Sequence, residues 1–171
     1  MRKAVLISIR PEWCQKIMAG RKTIEVRKTR PKMDTPFRGY IYRTKGTVPH
    51  IINGKWVQME VGGTIIAEFT CDRIYELEMR SPGGSYYVKG EDQPTTNDVA
   101  RHSCLTLWDM HEYLQAGKGY GWHISNLRIY DHPRDLWEFT GLRETKFGAE
   151  PVPITRPPQS WRYVEEELWN D

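Results

Sequence analysis

The chain has 171 residues and a mass of 20.1 kDa, enough to bury roughly 70% of its unfolded surface without a disulfide or metal staple. Aromatic residues at 12%, charged residues at 27% and a total of 25 Gly and Pro exclude the disordered, collagen-like and low-complexity classes. The net charge of +3 is unevenly spread: Met1 to Val48 carries 13 Lys/Arg against Glu12, Glu25 and Asp34, a net of +10, and the other 123 residues net −7. The longest apolar runs, such as Ala4 to Ile9, fall far short of the ~20 residues of a bilayer span. No small-residue cleavage site follows that run, and Cys14, Cys71 and Cys104 lie too far apart for a metal-type Cys pair. The expectation is a cytoplasmic protein with reduced thiols, no cofactor and no membrane partner.

Lys3 to Ile9 reads as a strand, and Pro11 opens a short amphipathic helix to Ala19 with Trp13 and Ile17 inward and Gly20 as its stop. Thr23 to Arg27 alternates as a strand with Glu25 and Arg27 on its polar face. Pro31 to Pro36 reads as a loop and Gly39 to Thr44 as a strand. Asn53-Gly54 predicts a projecting β-hairpin over about 48–61. Thr64 to Cys71 is the strongest candidate for a central strand, and 80–101 reads as a long loop or insertion. Thr106 and Asp109 form a capping box for a helix from Leu107 to Ala116. A strand follows from Gly119 through Tyr130, then a short helix capped by Asp135. The Pro-rich segment from about 150 is a C-terminal extension holding a last edge strand near Ser160 to Val164 and a solvated acidic end at Glu165 to Glu167. No internal repeat or second domain is apparent, so 1–171 reads as a single domain.

Two features carry chemistry. Lys22 precedes the strand on which Glu25 and Arg27 point the same way, about 7 Å apart. One acid between two cations can grip phosphate through Arg27 or, with Lys22 desolvated, act as a base; a plain ion pair holding the helix in place is the structural alternative. Lys28, Arg30 and Arg43 extend the basic surface. The second feature is a set of rings beside cations or glycines: Tyr42 next to Arg43, Trp122 in Tyr120-Gly-Trp122, and Trp161 following Arg156. Such rings stack bases for roughly 1–3 kcal/mol each. Trp13, Trp108 and Trp137 are assigned to the core. Five histidines show no H-E-x-x-H or i, i+4 pairing, and no metal site is expected.

Gly20-Arg-Lys-Thr-Ile-Glu-Val-Arg27 is a G-x-K-x-x-E-x-R pattern between a predicted helix and strand, and here the sequence resembles the ASCH domain family of the PUA-like superfamily. The opening Ile7 to Ile17, the strand Gly39 to Tyr42 and the strand Ile66 to Phe69 are similar to their counterparts, over about two thirds of the chain. The hairpin, the 81–100 segment and the C-terminal extension look like additions of the kind seen in phage and prophage members. The resemblance implies an α+β fold on a small PUA-like mixed β-barrel with two main helices, and RNA binding in a cleft near the motif. Some members resemble amidohydrolases acting on acetylated cytidine and others are ribonucleases, with Lys22 at the shared position. A Thr stands in the amidohydrolase-like members where this chain has Glu25.

The reading is therefore RNA or nucleotide binding through a cationic cleft with Lys22, Glu25 and Arg27, flanked by Lys28, Arg30, Tyr42, Arg43, Trp122, Arg156 and Trp161. The alternatives are a small hydrolase of modified nucleosides or RNA using Lys22 and Glu25, and a phage-type adaptor whose hairpin and long loop bind a protein partner.

Overall fold

The computed structural model describes residues 2–167. Its elements are β1 (Lys3–Ile9), α1 (Pro11–Met18), β2 (Ile24–Arg27), β3 (Phe37–Arg43), β4 (Gly46–Ile52), β5 (Lys55–Val61), β6 (Thr64–Cys71), β7 (Ile74–Met79), β8 (Tyr86–Val88), α2 (Thr96–Ser103), α3 (Leu107–Leu114), β9 (Gly119–His123), β10 (Ser125–Arg134), a 3-10 turn (Leu136–Glu138), β11 (Thr140–Thr145), β12 (Gly148–Pro153) and β13 (Trp161–Glu165). The architecture is α+β. Among the described residues the strands form a seven-stranded sheet in the order β10-β6-β3-β1-β13-β11-β12, a four-stranded sheet β2-β9-β7-β8, and the ribbon β4-β5. The chain divides into two compact units: one from the N-terminal segment to Gln15, Phe37–Phe69 and Leu127 onward, the other from Lys16–Pro36 and Thr70–Asn126. No helix among the described residues is long and apolar enough to cross a membrane.

In the first unit β1 lies between two partners, parallel to β3 (Ile7 opposite Ile41) and antiparallel to β13 (Ile7 opposite Trp161). A strand covered on both faces needs an unbroken apolar run, and Ala4, Val5, Leu6 and Ile7 are fully buried. One face packs Ala4 and Leu6 against Tyr40, Tyr42, Ile65, Phe139, Ile154 and Val164. Gly39 is needed because any Cβ there would collide with the Phe69 ring. Two expectations change here. β13 is not an edge strand: β1 and β11 flank it, and Val164 is fully buried. The acidic end is not simply solvated either, since the Glu166 side chain is 10% exposed and pairs with Arg2 at 3.5 Å.

The ribbon turns at Asn53 and Gly54, both at positive φ, as the Asn-Gly pair requires. Its strands stay solvated, with Ile51, Ile52 and Trp56 exposed.

In the second unit, one face of the four-stranded sheet sets Ile24, Val26, Leu77 and Val88 against Val99, Ala100, Met110 and Leu114 of α2 and α3. The segment read as a loop over 81–100 contains β8 and most of α2. Its signals are faint because β8 is three residues long and α2 buries only Val99, Ala100 and Ser103, too few to show a 3.6-residue period. What holds α2 is a capping box, Thr95 with Asp98, repeated at α3 by Thr106 and Asp109. The tryptophans are also redistributed: Trp108 and Trp137 are 70% and 77% exposed, and Trp13 is half-buried. Trp108 lies off the Met110/Leu114 stripe of an eight-residue helix, and Trp137 sits in a single 3-10 turn with no inward face.

Candidate nucleic-acid interface

The motif is shaped by how α1 ends. Gly20 takes a positive φ and donates to the Ile17 carbonyl, while Arg21 and Lys22 both donate to Lys16. Thr23 then donates to the His102 carbonyl and accepts from Ile124, which aligns β2 along β9 with Glu25 opposite Trp122 and Arg27 opposite Tyr120.

Lys22 is turned inward and is 3% exposed. Its Nζ donates to the Ser103 carbonyl at 2.8 Å and the Ile24 carbonyl at 3.1 Å, and lies 3.0 Å from Glu25 Oε2. Three acceptors meet its three N–H donors. Ser103 closes α2, where the last carbonyls lack intrahelical partners and carry the negative end of the helix dipole, so a cation is favoured there. The other Glu25 oxygen, Oε1, sits 2.9 Å from Arg27 Nη2, whose side chain is 11% exposed. The spacing thus brings Lys22, Glu25 and Arg27 together, but as a buried, ion-paired triad with one cation in excess rather than an open cationic pocket.

What faces solvent beside the triad is Lys28 with Tyr113 of α3. The Lys28 ammonium stands 5.3 Å from the centroid of the Tyr113 ring, and the Tyr113 hydroxyl hydrogen-bonds the Lys28 backbone. Burial raises the Tyr113 pKa, with Arg27 and Glu25 near enough to act on it in opposite directions. The ring is nonetheless 40% exposed. Sequence reasoning missed Tyr113 because, three residues after Met110, it falls at the flank of the apolar stripe of α3 and reads as part of it.

The remaining expected residues separate. Arg30 spends its donors on the Pro31 and Met33 carbonyls and approaches Glu76 at 3.7 Å, so it braces its own loop. Trp122 is fully buried and Tyr42 is 5% exposed; both are core rings and offer no face for stacking. Arg43 lies in the first unit, half-buried. Arg156 and Trp161, also in that unit, line one groove of about 700 Å³ with Arg162 and Tyr163.

The ASCH domain family model matches residues 7–87, which contain the whole motif. The chain is similar in structure to an ASCH protein from Zymomonas mobilis, with a TM-score of 0.54 and 18% identity over 97% of this chain and 90% of that one. It is similar to a serine-to-alanine variant of that protein at a TM-score of 0.52 and 18% identity, covering 96% and 90% of the two chains. A tyrosine-to-phenylalanine variant matches at 0.52 and 17%, covering 96% and 92%. At these identities the likeness speaks to the fold. Comparison with the curated proteins finds no match. Residues 7–87, which hold the motif, are thus similar to the ASCH domain family, and the fold of the chain is similar to that of an ASCH protein.

Proposed function

We propose that the protein binds single-stranded RNA on the face formed by Lys28, Tyr113 and the edge of Arg27. ASCH domains are RNA-binding modules in general, and the observation that carries the reading here is the exposed Tyr113 ring held under the Lys28 ammonium. A fixed ring beside a cation supplies stacking and phosphate contact together. The buried triad supports it by fixing the end of β2 from which Lys28 projects. A hydrolase with Lys22 as base is less well supported, because a base needs an unprotonated nitrogen facing the substrate and all three Lys22 donors are committed. The adaptor reading finds support in one place, the solvated ribbon with Trp56 72% exposed.

The test is fluorescence anisotropy of a labelled single-stranded RNA across a salt series. Affinity should fall with a log-log slope of about 0.7 per phosphate contact. Tyr113→Ala should weaken binding by roughly 1–3 kcal/mol, and Lys28→Ala should weaken binding and flatten the salt slope. Binding that ignores both salt and Tyr113 would sink the proposal, and if it disappears instead on Trp56→Ser the ribbon is the interface.

A further inference from the structure

The ribbon β4-β5 pairs with no third strand among the described residues. An isolated two-stranded ribbon is marginally stable in water, and this one packs little of itself elsewhere: Lys55 to Glu60 are all exposed, and Val48 is the buried residue of β4. Its register sorts the side chains, because directly opposite residues share a face. Val48 with Met59, and His50 with Val57, lie on one face along with Ile52; Pro49 with Gln58, and Ile51 with Trp56, lie on the other. Both faces therefore carry exposed apolar side chains, Ile52, Val57 and Met59 on the first and Ile51 and Trp56 on the second.

The two edges of the ribbon differ. The two-residue turn at Asn53-Gly54 makes Ile52 and Lys55 a hydrogen-bonded pair, and bonded pairs recur at His50/Val57 and Val48/Met59. The residues between them turn their backbone N–H and C=O groups outward: Thr47, Pro49 and Ile51 on β4, and Trp56, Gln58 and Glu60 on β5. Proline has no N–H, so Pro49 blocks the middle of the β4 edge. The β5 edge has no such guard. Its charged residues, Lys55 and Glu60, stand toward its two ends, and no hydrogen bond among the described residues engages the outward groups of Trp56, Gln58 or Glu60.

We propose that two copies of this chain associate by antiparallel pairing of β5 with β5 of the second copy, which makes one four-stranded sheet with β4 on each outer side. A strand paired with its own copy across a twofold axis sets residues of the same face opposite one another. With Gln58 on the axis, Gln58 meets Gln58 of the second copy, Trp56 meets its Glu60 and Val57 meets its Met59; the outward groups of the edge then close about six backbone hydrogen bonds. The Lys55 end of each strand lies beside the Glu60 end of the other, opposite charges together, whereas parallel pairing would bring like ends together. Val57 and Met59 of both copies join into one apolar face. The exposed apolar side chains of two ribbons present on the order of 1,000 Å², the scale of the smallest specific interfaces. Pro49 bounds the new sheet on both sides, which stops association at two copies instead of a fibre. The pairing does not depend on the Lys28 and Tyr113 face binding RNA.

The experiment is sedimentation equilibrium of the full chain from micromolar to millimolar concentration. The apparent mass should rise from 20.1 kDa toward twice that value. Gln58→Lys and Gln58→Glu each place like charges across the axis and should each weaken the dimer about fivefold, and an equimolar mixture of the two variants should associate more tightly than either alone. Gln58→Pro removes an N–H that the ribbon itself does not use and should abolish association, while Tyr113→Ala should leave it unchanged. In hydrogen exchange, the Trp56, Gln58 and Glu60 amides should gain protection as concentration rises. A mass of 20.1 kDa throughout overturns the proposal and leaves the β5 edge to a different protein chain. A dimer that both Gln58 charge variants leave unchanged, and whose mixture gains nothing, overturns it as well.

Discussion

Lys22 donates a 2.8 Å hydrogen bond to the carbonyl of Ser103, 81 residues away in the chain. The bond fastens the motif to the C-terminal end of α2, and the same ammonium carries the ion pair to Glu25. Removing Lys22 therefore leaves a buried carboxylate and two buried carbonyls short of a donor. Lys22→Met should cost about 3–5 kcal/mol, as for one partner of a buried pair, read as a lower urea midpoint. A loss below about 1 kcal/mol, the range of exposed pairs, would contradict the burial described above.

The two capping-box aspartates give the second unit an acid-sensitive edge. Side-chain hydrogen bonds from Thr95 and Thr106 hold the Asp98 and Asp109 carboxyls below the ordinary aspartate pKa of about 3.9. Their contribution is complete above that value and is lost as pH falls through the lower folded value. The protection of the α2 and α3 amides against exchange, relative to their intrinsic rates, should therefore fall below about pH 4, and the double change Asp98→Asn, Asp109→Asn should remove that pH response.

The three thiols should differ sharply in reactivity. Burial pushes the Cys71 thiol up to about 12, Cys14 is fully buried, and Cys104 is half-buried at the end of α2. Ellman's reagent at pH 8 should label Cys104 first, and Cys104→Ser should abolish the fast phase. Cys14 and Cys71 should react only as urea unfolds the chain.

Two turn glycines should respond differently to alanine. Gly54 and Gly62 both have positive φ, but a Cβ at Gly54 enters open space while one at Gly62 strikes the Thr44 carbonyl. Gly54→Ala should cost about 1–2 kcal/mol from the backbone alone, and Gly62→Ala clearly more. Equal melting temperatures for the two variants would refute the close approach at Thr44.

Local chemistry was legible without the fold. The helix after Pro11, the alternation of Glu25 and Arg27, the Asn53-Gly54 turn, the strand Thr64–Cys71 and the Thr106/Asp109 box all follow from preferences acting within a few residues. Even the meeting of Lys22, Glu25 and Arg27 is a matter of strand spacing. Burial is not local. That Lys22 faces Ser103 rather than solvent depends on α2, a helix whose two apolar residues leave almost no periodic trace. The fate of each ring was decided likewise by what packs over it: Trp122 lies inside its sheet, Trp108 projects from a helix whose inward stripe is already filled, and Trp161 is half-buried edge-to-face against Tyr163. Strand and helix signals extend over a few residues, whereas side-chain exposure is set by segments 80 to 150 residues apart in the chain, and these converge only in the folded structure.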